Sequence, residues 1–200
     1  MGQTTETGQL TLKERILQLP DYAVIFRSDY PEYHAEFVGS VLAELTKEGV
    51  LLKAAQGIYV KPVQSRFGPA SPSVGEIVQA IAARDCAQVM PCGETALNAL
   101  GLSTQVPMVY CYLTSGSKRT IKMKNATIIL KTAVPRYFSY ETKLIAMLVQ
   151  ALKALGEGNV EDEELSQIAM LLANEPDREA LERDVLRMPA WMKRMLKGLM

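Results

Sequence analysis

PCGETALNALGLSTQVP, residues Pro91 to Pro107, reads as a short helix delivered into the approach to a strand. Gly93 turns the chain, Ala96, Leu97 and Leu100 share one helical face, Gly101 stops the helix, and Pro107 bounds the next element. The pattern then changes from a period of 3.6 to one of 2. Val and Tyr dominate from Pro107 to Leu113, Ser115, Gly116 and Ser117 turn the chain, and Thr120–Met123 and Thr127–Lys131 form two further strands. A helix feeding three short strands predicts an α+β domain built on a small antiparallel sheet.

Upstream, Ser73 stands three residues before Glu76, the spacing of a capping box, and Ile77, Ala80 and Ile81 carry a helix to Asp85. Gln88 to Met90 predicts a short strand. Downstream, Leu144, Ile145, Leu148, Leu152 and Leu155 define a helix over residues 140–155 that ends at Gly156. The acidic run at 161–164 opens another, where carboxylates meet the positive end of the helix dipole. A Met-rich tail with Trp191, Lys193, Arg194 and Lys197 either docks on its own domain or offers an amphipathic helix to a partner.

The first sixty residues have a different plan. Residues 1–9 are polar and expected to fray. Thr11 and Glu14 have capping-box spacing at the start of a helix that Pro20 stops, and residues 22–26 form a short strand. Phe37, Val38, Val41, Leu42 and Leu45 place one apolar face on a helix over residues 35–47, ended by Gly49. Val50–Leu52 and Ile58–Val60 then predict a hairpin turning through residues 53–57. This order is that of a winged helix-turn-helix, in which the last helix enters the major groove and the hairpin touches phosphate. The contacts to DNA would come from Arg27, Ser28, Ser40, Lys47 and Lys53. The outward set of the long helix also includes Glu36 and Glu44, so a winged helix used as a packing or dimerisation module is the alternative.

Pro, Ser and Gly crowd residues 63–73, which read as a linker, giving an N-terminal domain at 1–62 and a second domain at 74–200. Formal charge is zero overall but uneven: about −2 over residues 1–62, about +5 over 63–140 and about −3 beyond. The basic surface is therefore central. Lys118, Arg119, Lys122, Lys124 and Lys131 form its core, with Lys118, Thr120, Lys122 and Lys124 sharing one parity and so one sheet face. That face is either the solvated side of a half-buried sheet or a contact for phosphate or an acidic partner.

The composition excludes several classes. With 48% hydrophobic residues, a packed core is expected. Three cysteines without C-x-x-C spacing give no disulfide framework and no zinc signature, which suits a reducing cytoplasm. No leader, lipidation motif or membrane span is expected. His34 is the only histidine, at a predicted turn, and no nucleotide-binding glycine motif occurs, so no catalytic residue, metal or cofactor is expected. Cys92, at a helix start where the dipole could lower a thiol pKa, is the one candidate nucleophile, against a simpler role as a small residue closing a turn.

Ala96 to Pro107, preceded by Pro91, Cys92 and Gly93 and succeeded by Tyr112–Gly116 and a basic strand, resembles the AbiEi-type antitoxins of type IV toxin-antitoxin systems. The similarity runs from about Thr11 to about Gly156 and includes Gly57, Ile58 and Tyr59 at the end of the wing. The resemblance implies a winged helix able to bind operator DNA and repress its own operon. It also implies a second domain that opposes a cognate nucleotidyltransferase-like toxin. The toxin, not this chain, would be the catalyst.

Overall fold

The computed structural model describes residues 11–66 and 68–199. The fold is mixed α+β and divides into two compact units, Met1–Ala80 and Ile81–Met200. The expectation for residues 1–9 lies outside the described residues. Among the described residues no helix is long and apolar enough to cross a membrane.

In the first unit, α1 (Leu12–Leu17) begins at the expected capping box. Thr11 N–H donates to Glu14 Oε2 at 2.7 Å, and Glu14 N–H returns to Thr11 Oγ1 at 3.3 Å. Strand β1 (Val24–Phe26), a 3-10 turn (Arg27–Asp29) and α2 (Ala35–Lys47) come next. Val38, Val41, Leu42 and Leu45 sit in the core with Leu12, Ile16 and Ile25. Burying four such side chains stabilises the unit by roughly 1.5–3 kcal/mol each. Phe37, expected inward, is 51% exposed and packs its ring 5.7 Å from that of Tyr33. It lies about 100° around the helix from Val38, outside the stripe set by residues 38, 41, 42 and 45.

Gly49, at φ +75°, ends α2 in the left-handed region, and both Val50 and Leu51 donate back to the Leu45 carbonyl. The chain is therefore still completing the helix end where a strand was expected. Strand β2 (Leu52–Ala55) starts later and turns tightly through Gln56 and Gly57 into β3 (Ile58–Val60). The sheet order is β1-β3-β2, antiparallel throughout.

The stretch expected to be a linker is ordered as a hairpin, β4 (Val63–Ser65) with β5 (Gly68–Ala70). Helix α3 (Val74–Arg84) is capped by the Ser73–Glu76 box, with Ser73 N–H donating to Glu76 Oε2 at 2.7 Å. The division between units falls within this helix, not in residues 63–73.

The second unit contains β6 (Val89–Pro91), α4 (Glu94–Ala99), β7 (Val109–Thr114), β8 (Arg119–Lys122) and β9 (Thr127–Thr132). Its sheet has the order β6-β7-β9-β8 and is mixed: β7 and β9 run parallel, correcting the antiparallel expectation. The composition of the strands accounts for it. β9 carries Ile128 and Leu130, both buried, and occupies an inner position, while β8, with Arg119 and Lys122, is the edge. The chain thus leaves β7, lays β8 two positions away and returns through a hairpin to fill the gap with β9.

After the sheet come α5 (Lys143–Leu155), α6 (Asp162–Ala173), α7 (Arg178–Arg187) and α8 (Ala190–Lys197). They enclose one core with α4, in which Ala96, Leu97, Ile145, Leu152, Ile168 and Leu181 are buried. Met192 and Leu196 of the tail are fully buried there, so the Met-rich segment docks on its own unit.

Asp184 of α7 is also fully buried. It accepts from Glu141 N–H (3.0 Å), Thr142 N–H (2.7 Å) and Thr142 Oγ–H (3.0 Å), the entry to α5. A carboxylate there meets the unsatisfied donors and positive dipole of a helix N-terminus.

Candidate functional site

Two surfaces carry the residues singled out from sequence, one in each unit. On α2, Glu36, Ser40, Ala43 and Lys47 form an exposed stripe at helical spacing. Ser40 Oγ donates to the Glu36 carbonyl at 3.0 Å, so its hydroxyl proton is engaged along the helix. Arg27 does not reach outward freely. Its Nε donates to the Ala35 carbonyl at 2.6 Å, and its guanidinium lies over Gly39, where a Cβ would come within 3.4 Å of Cζ. Gly39 is accordingly half-buried. Ser28 is exposed in the 3-10 turn, and Lys53 is exposed on β2 opposite Tyr59.

One of the two acids that weigh against a DNA contact, Glu44, has a partner that the sequence did not reveal. Lys13 of α1 donates to Glu44 at 2.7 Å and to Glu48 at 2.8 Å. The Lys13 bond holds the Glu44 carboxyl below its ordinary value, and the two glutamates raise the lysine. Residues 31 and 35 positions apart make these pairs, so no local spacing signals them.

The second surface is a face of the four-stranded sheet. The registers align it in rows. Val109, Thr127 and Lys122 form one row, and Cys111, Ile129 and Thr120 the next. Leu113 and Lys131 form the third, which Lys118 continues one residue before β8. Lysines thus stand at both ends of a face whose middle row is half-apolar. Lys124 extends the Lys122 end beyond the strand, and Val109, 50% exposed, continues into Met108 and Val106, at 67% and 70%. None of the four lysines makes an ion pair among the described residues.

Arg119 does not belong to this face. It pairs with Leu130 across the ladder, pointing to the buried side, and forms an ion pair with Asp85. Burial pushes the Asp85 carboxyl up, but hydrogen bonds from Arg119 and Arg84 (2.9 Å) outweigh it and hold the group below its usual range. Arg119 thus lies off the lysine-bearing face, in an ion pair with Asp85.

Cys92 is no activated nucleophile. It is buried, its Sγ lies 2.8 Å from that of Cys111, and burial together with that thiol contact pushes its pKa up to about 12. The helix after it is six residues long, and desolvation outweighs any dipole effect there. The sulfur contact spans 19 residues and joins the end of β6 to β7, a pairing invisible in sequence.

Residues 11–180 match the family of unknown function DUF6088, and the chain belongs to that family. The fold is similar to the crystal structure of the RV2827C protein from Mycobacterium tuberculosis, with a TM-score of 0.50 at 17% identity. That similarity covers 94% of this chain and 74% of the other. No curated protein matches the chain.

Proposed function

We propose that this member of the DUF6088 family is an antitoxin-like regulatory protein that acts by binding, not by catalysis. Its N-terminal unit is a winged helix-turn-helix able to contact operator DNA. Its second unit opposes a cognate nucleotidyltransferase-type toxin in the cytoplasm. The observation that carries the reading is the order α1, β1, turn, α2, β2, β3 with strands arranged β1-β3-β2, which places a hairpin directly after the helix that would read DNA. The AbiEi-type motif over Pro91–Pro107 and the lysine-ended sheet face after it support the toxin-opposing half.

The Lys13 pairs favour the DNA contact over a packing role, because they draw Glu44 and Glu48 into ion pairs with α1. The outward stripe is left with one acid, Glu36, and one cation, Lys47. Purified protein should shift a duplex from its own promoter, with an affinity that falls as salt rises. No shift at low salt would remove the repressor role. For the toxin-opposing role, the Lys122→Glu, Lys124→Glu double variant should lose rescue of cells arrested by a cognate nucleotidyltransferase-type toxin. Full rescue by that variant would take the sheet face out of the mechanism.

A further inference from the structure

A second cluster of cations lies in the second unit, where the 3-10 turn η2 (Pro135–Phe138) meets α5 and the end of α7. A cleft of 310 Å³ opens there, lined by Arg136, Tyr137, Ser139, Tyr140, Lys153 and Arg187 among others. Three cations thus share one small concavity. Like charges gathered in this way repel one another, and an anion seated among them relieves that repulsion.

The cations are also held in place by neutral groups. Lys153 Nζ donates to Tyr137 Oη at 2.8 Å and lies 4.0 Å from the centre of that ring. Arg136 lies over the same ring at 5.4 Å, and Arg187 over Tyr140 at 5.6 Å. Arg187 donates to Ser139 Oγ at 2.7 Å. Aromatic faces attract cations without neutralising them, so the charges are oriented and still available.

The nearest carboxylates are committed elsewhere. Asp184 accepts from the backbone and hydroxyl at the start of α5 and meets Arg187 only at 3.5 Å. Glu141 is taken by Arg183 at 2.7 Å. Even with Asp184 set against Arg187, Arg136 and Lys153 leave the cleft positive. Planar guanidinium forks beside an ammonium group and hydroxyl donors are the donor set that recognises phosphate oxygens.

We propose that this cleft binds a phosphate group, with Arg136, Lys153 and Arg187 as its ligands. The assignment stands apart from the antitoxin reading and needs neither a toxin nor an operator. The phosphate could be carried by a small phosphate ester or by a nucleic-acid backbone, and the recognition chemistry is the same for both.

The test is an amide NMR titration of the full chain with inorganic phosphate, against chloride at equal ionic strength. Saturable shifts centred on residues 136–140, 153 and 187 are expected. The exposed double variant Arg136→Gln, Lys153→Gln, which touches no core contact, should weaken binding about 10-fold or more while leaving the rest of the spectrum in place. Absence of saturable shifts, an equal response at Lys118 and Lys122, or undiminished binding by the double variant would overturn the assignment. Adding a duplex of arbitrary sequence to the phosphate-loaded protein separates the two sources. Displacement of phosphate from the cleft identifies backbone phosphate as the ligand, and an unchanged cleft identifies a small ester.

Discussion

Asp184→Ala should be the most damaging single change at a polar residue of the second unit. The carboxylate is fully buried and serves two backbone N–H groups and one hydroxyl at the start of α5, with Arg187 3.5 Å away. Truncation leaves those donors without an acceptor, at about 1–3 kcal/mol for each buried unsatisfied group. Glu141 is exposed and water can relieve its N–H, so the loss should total about 3–5 kcal/mol, the range for breaking a buried charged network. Asp184→Asn keeps the shape and one acceptor oxygen and should lose only about 1–3 kcal/mol. Urea unfolding monitored by the fluorescence of Trp191, the single tryptophan and packed on the same core, reads this unit selectively. With a slope of about 2 kcal/mol/M, the alanine variant should unfold about 2 M earlier. A midpoint within about 0.3 M of the parent at unchanged slope would refute the claim that Asp184 organises the α5 entry.

Three further outcomes are expected. The Asp85 carboxyl is held below its ordinary 3.8, so its contribution is fully present above that value and is lost as pH falls through the lowered one. The stability gap between parent and Asp85→Asn, of at most about 1 kcal/mol, should be constant from pH 5 to 8 and close on acidification; a gap that widens would reverse the sign. Alkylation at pH 8, read by mass spectrometry, should label exposed Cys86 well before Cys92, whose thiol stays protonated up to about 12. Gly93→Ala should cost about 1–3 kcal/mol, because φ +59° and ψ −142° at the α4 entry are closed to residues with a Cβ; an unaffected melting curve would contradict this.

Local grammar was legible and long-range geometry was not. The capping boxes at Thr11 and Ser73 and the glycine stops at Gly49, Gly101 and Gly156 depend on neighbours within a few residues. The exposed Phe37 shows the limit of periodicity: an apolar residue beside the seam looks like part of it until the partner surface is known. Strand order was hidden because β7 and β9 pair across an intervening strand, so adjacency in sequence suggested the wrong neighbours. At the candidate sites, the exposed lysines were legible as a cluster. The Lys13 pairs, the Arg119–Asp85 pair and the Arg136–Lys153–Arg187 cleft were not, since each joins separate elements.

The two surfaces make different demands on the salt dependence of duplex binding, and that difference assigns them. Each phosphate neutralised contributes about −0.9 to the slope of log affinity against log salt. In the first unit Lys47 and Lys53 are exposed, while Arg27 is bonded to the Ala35 carbonyl. Binding through this unit alone therefore predicts a slope of about −2. If Lys118, Lys122, Lys124 and Lys131 of the sheet face also meet the backbone, the slope steepens to about −5. The double variant Lys122→Ala, Lys131→Ala then acts as a gauge. It should flatten a steep slope by about 1.8 if the sheet face touches DNA, and leave a shallow one unchanged if that face is reserved for protein. A shallow slope together with lost toxin rescue would divide the labour between the units, with base reading by α2 and toxin contact by the lysine-ended sheet. A steep slope that this variant flattens while rescue stays intact would reverse the assignment, giving the sheet face to the operator.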